Sequence, residues 1–175
     1  MKLNLGCGTD IKKGYVNMDK IKGQGIDLVW DLNKIPYPFK DNSIEQIYAS
    51  NILEHIDLSI PLFLKEAKRI LKKDGLLIVR VPIGFVSLSI FHKRFFSIGD
   101  FNGDVIDSEQ REMWKGWKLE SRRLEFHKAG KIFFLNRLVE KAINHIRADI
   151  YERSFLRSLF PAEEIFVRIR KIKND

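Results

Sequence analysis

Four short apolar stretches in the first fifty residues each stop at a glycine or a small polar side chain. Residues 2–5 run into Gly6-Cys7-Gly8, residues 15–18 end at Asp19, residues 26–30 at Asp31, and residues 44–48 near Asn51. Strands this short are stable only side by side in a larger sheet. A fifth stretch, residues 76–81, is apolar at nearly every position and stops at Pro82. That is the pattern of a strand covered on both faces in a parallel sheet. Before it, Leu62, Phe63, Ala67, Ile70 and Leu71 recur at helical spacing among charged residues, which predicts a helix over 60–72. Pro61 suits its first turn, and Gly75 after Asp74 reads as its stop signal. Strands alternating with helices or loops indicate an α/β fold around a parallel sheet.

The remainder is less periodic. Residues 83–116 read as a long excursion after the fifth strand, and residues 117–126 as a strand near an edge. Residues 131–147 look helical, with Phe134, Leu138 and Ile143 facing inward. Phe160-Pro161 breaks the chain, and the alternation over 164–172 predicts a final strand. With 175 residues the chain suits one domain. We divide it into a ligand-binding half over 1–82, the excursion over 83–116, and C-terminal strands and helix over 117–175.

Composition narrows the class. The single cysteine, Cys7, excludes an internal disulfide framework and a multi-cysteine zinc site. There is no H-E-x-x-H pair, and the expectation is no metal site. No apolar run reaches the ~18 residues of a membrane span, and the N-terminus lacks the apolar core of a signal peptide. The expected location is the cytoplasm. The net charge of +8 is uneven: residues 111–175 hold 16 Lys+Arg against 9 Asp+Glu. Such an excess suits an anionic partner or, more simply, a solvated helix face.

Open parallel sheets bind ligands outside the carboxyl ends of their strands. Gly6 and Gly8, Asp19, Asp31 and Asn51 would converge there. Ile11 stands where a dinucleotide fingerprint needs its third glycine, and Asp19 follows Gly6 by only 13 residues against the usual ~20. The first crossover helix, around 11–14, must then be very short. This spacing argues against a dinucleotide and for an adenosyl ligand without phosphates, its ribose hydroxyls accepted by Asp19.

Seven segments, in order, resemble the class I S-adenosylmethionine-dependent methyltransferases, in particular their small single-domain, methyltransferase type-11-like group. They are LNLGCG (3–8), GYVNMD (14–19), Asp31-Leu32, PFKDNSI (38–44), IYASNILEH (47–55), FLKEAKRIL (63–71) and DGLLIVRVP (74–82). HKRFF (92–96) and FPAEEI (160–165) resemble that group too. The resemblance implies a Rossmann-like open sheet of about seven strands, mostly parallel with the last antiparallel, and helices on both faces. It implies S-adenosyl-L-methionine as cofactor. Gly6, Cys7 and Gly8 would form the turn along its methionine moiety, Asp19 would hold the ribose, Asp31 and Leu32 would flank the adenine, and Asn51 would stand at the mouth of the acceptor site. Asn4 occupies a place where many relatives carry an acidic residue.

Methyl transfer is an in-line displacement at a sulfonium carbon, so positioning supplies much of the rate. A base is needed only where the acceptor loses a proton. His55 and His92 are the catalytic candidates, with Tyr48 behind them. Lys93 and Arg94 beside His92 could grip an anion, Phe91, Phe95 and Phe96 could anchor the loop, and Trp114 and Trp117 could line a pocket or fill the core. The acceptor is unidentified, with a small molecule or a sugar- or lipid-linked intermediate favoured. A second reading is a non-catalytic binding module or partner subunit that contacts nucleic acid or protein through its basic C-terminal part.

Overall fold

The computed structural model describes residues 1–84, 89–101, 108–126, 133–145 and 148–172, without the side chains of residues 109–110, 133–136 and 148–149. Seven strands form one sheet: β1 (Lys2–Leu5), β2 (Val16–Asp19), β3 (Leu28–Val29), β4 (Ile44–Ser50), β5 (Leu71–Pro82), β6 (Trp117–Glu125) and β7 (Glu164–Lys171), in the order β3-β2-β1-β4-β5-β7-β6. The first five pair in parallel, and β7 runs antiparallel to both its neighbours. The topology is the expected one, with the last strand antiparallel. Strand order reverses between β1 and β4, which makes their carboxyl ends a topological switch point.

Register sorts the side chains into two faces. Leu3, Ile47, Leu77 and Ile169 form one cross-sheet row, and all are fully buried. Phe63, Leu64, Ala67 and Ile70 of α1 (Ile60–Ile70) belong to the same cluster. So do Trp114 of α2 (Ser108–Trp114), Ile143 of α3 (Phe133–Ile143) and Tyr151 of α4 (Ala148–Arg153). The adjacent row is Asn17, Asn4, Tyr48, Ile78 and Arg168. Ile78 is buried there but stands outside that cluster, while Tyr48 and Arg168 are half-buried. The two faces are thus covered unequally among the described residues.

Several elements depart from the periodicity reading. No helix joins β1 to β2; turns do. The buried Asn4–Asn17 pair holds that loop. Asn4 Nδ2 donates to Asn17 Oδ1 at 3.0 Å and to the Asp10 carbonyl at 2.7 Å. Asn17 Oδ1 accepts the Lys12 N–H at 2.8 Å, and Asn17 Nδ2 donates to the carbonyls of Lys12 and Tyr15. Helix α1 stops at Ile70, and β5 begins at Leu71, so Gly75 lies inside a strand and is no stop signal. Leu62 is 45% exposed because Leu64 takes the inward position. Leu138, expected inward, is 52% exposed, Ile143 is buried, and the Phe134 side chain lies outside the described residues. The excursion carries a 3-10 turn (Ile98–Phe101) and α2, and α4 and α5 (Leu156–Leu159) had no periodic signal. Both Trp114 and Trp117 are buried in the core. No described helix is long and apolar enough to cross a membrane.

Cys7 is buried under the first bend, where its N–H donates to the Met18 carbonyl at 3.1 Å. Burial, and then the nearby Asp19 carboxylate, push its thiol up to about 11. That is the behaviour of a packed side chain and not of a nucleophile.

Two outcomes follow. Asn17→Ala strands buried amide and backbone groups and lowers stability by about 1–3 kcal/mol, read as an earlier denaturant midpoint. Alkylation of Cys7 at pH 8, followed by mass spectrometry, runs on the order of 100-fold slower in the folded chain than in urea, because its thiolate fraction is depressed.

Candidate active site

The carboxyl end of β1 turns through Gly6 and Gly8, both in the left-handed region with φ +58° and +48°. A Cβ at Gly6 would sit 2.2 Å from Ile52, so only glycine lets the bend lie against the segment leaving β4. A Cβ at Gly8 would meet nothing within 4 Å, which leaves that side open to a ligand. Asp19 closes β2 on the same rim. Its Oδ2 accepts the Gly8 N–H at 2.8 Å, and its Oδ1 accepts the Ile21 N–H at 3.0 Å. A carboxylate offers about four lone-pair sites, so both oxygens keep acceptor capacity for a pair of vicinal hydroxyls.

The Asp19 carbonyl accepts the Trp30 N–H at 2.8 Å, which brings the chain after β3 to this rim. There Asp31 Oδ1 accepts the Asn33 N–H at 2.9 Å and shapes the turn. Leu32 points into the core, and its carbonyl accepts the Tyr37 hydroxyl at 3.1 Å. Asn33 Oδ1 in turn accepts the N–H groups of Asp57 and Leu58, tying this loop to the one after β4. Asn51, with φ +50°, follows β4 and donates from Nδ2 to Glu164 Oε1 at 2.9 Å. Gly6, Gly8, Asp19, Asp31 and Asn51 thus stand at strand ends on this rim, while Cys7 is buried beneath the bend and the Leu32 side chain is in the core.

Beyond Asn51 opens a cavity of about 440 Å³, lined by Asn51, Glu54, His55, Pro82, His92, Glu163 and Glu164. The rings of His55 and His92 meet edge to face with centroids 4.9 Å apart. His92 comes from the excursion, which is held down by polar bonds. The Lys93 N–H donates to the Glu54 carbonyl at 2.7 Å, and Arg94 donates to the carbonyls of Leu58 and Ile56. Lys93 Nζ pairs with Asp57. The two cations thus fasten the loop instead of gripping an anion. Of the three phenylalanines only Phe96 anchors it; Phe91 is 72% and Phe95 56% exposed. Tyr48 is not among the cavity's lining residues and carries Lys12 Nζ over its ring at 4.2 Å.

Glu54 is 1% exposed, and burial pushes its carboxyl up to about 6. Its Oε1 lies 3.9 Å from His55 Nε2. Glu54, Glu163 and Glu164 are absent from the candidates drawn from sequence. Glu164 had a readable signal: an antiparallel strand brings its first residue to the rim where parallel strands have their last. Glu54 had none beyond its place beside His55.

The methyltransferase domain family matches residues 3–79. No curated protein matches the chain. Among solved structures, an S-adenosylmethionine-dependent methyltransferase of Archaeoglobus fulgidus is similar at 14% identity and a TM-score of 0.62, over 97% of this chain and 85% of that one. An S-adenosylmethionine-dependent methyltransferase of Thermotoga maritima is similar at 18% identity and 0.58, over 97% and 81%. The [4+2]-cyclase SpnF is similar at 15% identity and 0.54, over 99% and 74%. At such identities the likeness shows the fold. The domain match thus covers residues 3–79, and the chain has the fold of these S-adenosylmethionine-dependent methyltransferases over nearly its whole length.

Proposed function

We propose that this chain transfers a methyl group from S-adenosylmethionine, bound along the Gly6–Asp19 rim, to a hydroxyl- or amine-bearing small molecule or sugar- or lipid-linked acceptor in the adjoining cavity. The observation that carries it is the 2.8 Å bond from the Gly8 N–H to Asp19, which sets an open glycine bend and a ribose-accepting carboxylate on one edge. Gly6 and Gly8 let the methionine part approach the backbone. Asp19 takes the ribose hydroxyls, and Asp31 with the Leu32 backbone flanks the adenine. Asn51 stands between this rim and the cavity.

In the transfer, an acceptor lone pair forms the new bond to the methyl carbon as the carbon–sulfur bond breaks. The electron pair of that bond returns to sulfur, leaving neutral S-adenosylhomocysteine. The cofactor supplies the reactive methyl and the leaving group. The chain supplies alignment and, for a hydroxyl or ammonium acceptor, a place for the proton. His92 is the acceptor-side base, with His55 next to it. Its buried Nδ1 has no partner among the described residues.

Cavity chemistry narrows the acceptor. Among the described residues, three carboxylates, two imidazoles and one amide line it, and neither lysine nor arginine does. Such a wall hydrogen-bonds hydroxyls, attracts cations and repels phosphate or carboxylate groups. The basic C-terminal part gives less support to the binding-module reading. Arg168 and Arg170 share Glu120, and Arg123 pairs with Glu125, so part of this charge is spent within the sheet.

Calorimetry with S-adenosylhomocysteine tests the cofactor site. Asp19→Ala is expected to lose about 1.5–3 kcal/mol of binding while keeping the wild-type circular dichroism. Full-strength binding by that variant would remove Asp19 from the site. An acceptor screen with methyl-labelled S-adenosylmethionine tests the cavity. Neutral or cationic hydroxyl and amine compounds should take up label ahead of their phosphorylated counterparts, and the reverse order would overturn this assignment.

A further inference from the structure

We propose that Glu54, His55 and His92 form a binding site for one divalent transition-metal ion, zinc in the first instance, in the wall of the acceptor cavity. One ligand atom from each residue lies within 4.8 Å of the other two. A carboxylate and two imidazoles are the donor set that suits zinc, iron or cobalt, whereas magnesium and calcium prefer oxygen alone. The absence of an H-E-x-x-H pair predicts no metal, since His55 and His92 lie 37 residues apart. The fold builds the set from two loops instead.

Two observations beyond proximity point to a ligand. Glu54 is 1% exposed, and its Oε2 has no hydrogen-bond partner among the described residues. A buried carboxylate oxygen left unpaired is costly, and a cation in the cavity would satisfy it. His92 Nδ1 is likewise buried and unpartnered. A third feature orients the remaining ligand. His55 Nδ1 lies 3.3 Å from the Phe91 carbonyl. When Nδ1 carries the proton and donates it there, Nε2 keeps its lone pair toward Glu54. Metal-bound histidines commonly have such a carbonyl behind them. Glu163 and Glu164 stand on the same cavity wall, Glu164 also paired with Arg80.

The bond from the Lys93 N–H to the Glu54 carbonyl joins the two loops that supply the set. Three protein ligands leave coordination positions open toward the cavity, the arrangement of catalytic sites more than of structural ones. The consequence for catalysis rests on the methyl-transfer reading above. An ion held there lowers the pKa of a hydroxyl acceptor. In the metal-bound form His92 would be a ligand and no longer the base assigned above, and the acceptor's proton would pass to water. Metal binding itself is independent of that reading.

The test uses the full chain, stripped with chelator and titrated with Zn²⁺ by calorimetry and with Co²⁺ by visible absorption. One ion per chain is expected, with cobalt d–d bands from nitrogen and oxygen ligands. Glu54→Gln and His92→Gln, checked for folding by circular dichroism, should each weaken binding more than about tenfold. Asp19→Ala should weaken S-adenosylhomocysteine binding and keep the metal, which separates this proposal from the cofactor site. A folded wild-type chain that takes up neither ion would overturn the site. So would affinity and cobalt spectra unchanged in both ligand variants.

Discussion

Asp19 closes β2 and holds the bend that closes β1, because its carboxylate accepts the Gly8 N–H at 2.8 Å. Through its carbonyl it also takes the Trp30 N–H and brings in the chain that follows β3. Three strand tips are thereby joined by one residue's acceptors. Gly6, pressed against Ile52, extends the contact to the segment leaving β4. The rim is an arrangement of short backbone segments, and its shape depends on where these few bonds pull them.

Much of this was legible in the sequence. A strand tip shows itself when apolar residues give way to Gly6, Asp19, Asp31 or Asn51, since burial ends there. Alternation marked β7 as a strand, and its burial alternates too, although Phe166 and the buried Lys171 break the apolar–polar pattern. What stayed hidden was held by side chains bonding to distant backbone. The Asn4–Asn17 pair does the work expected of a short helix, and nothing in residue spacing signals that two amides will meet across neighbouring strands. The same is true of the excursion. Arg94 reaches carbonyls 36 and 38 residues away, and these bonds bring His92 to Glu54. Helix α1 ran into β5 without a turn, so Gly75 misled as punctuation.

Charge follows a similar lesson. The chain carries a formal +8, yet the cavity beside the rim is lined by carboxylates and imidazoles. Arginines of the last two strands answer glutamates on the same sheet, and Arg80 pairs with both Glu125 and Glu164. Net charge describes the surface a partner meets from afar; the groups within a few ångströms set what a pocket accepts.

The unequal sheet faces have a thermodynamic consequence. Among the described residues, one side is cemented by hydrocarbon from α1 and its companions, the other largely by amides and ion pairs. Hydrocarbon exposure raises the heat capacity of unfolding and polar exposure lowers it. Loosening the second side alone would therefore respond weakly to temperature and strongly to ionic strength. Cooling erodes apolar cohesion first, so the polar side should be the last to soften in the cold and the first to feel added salt.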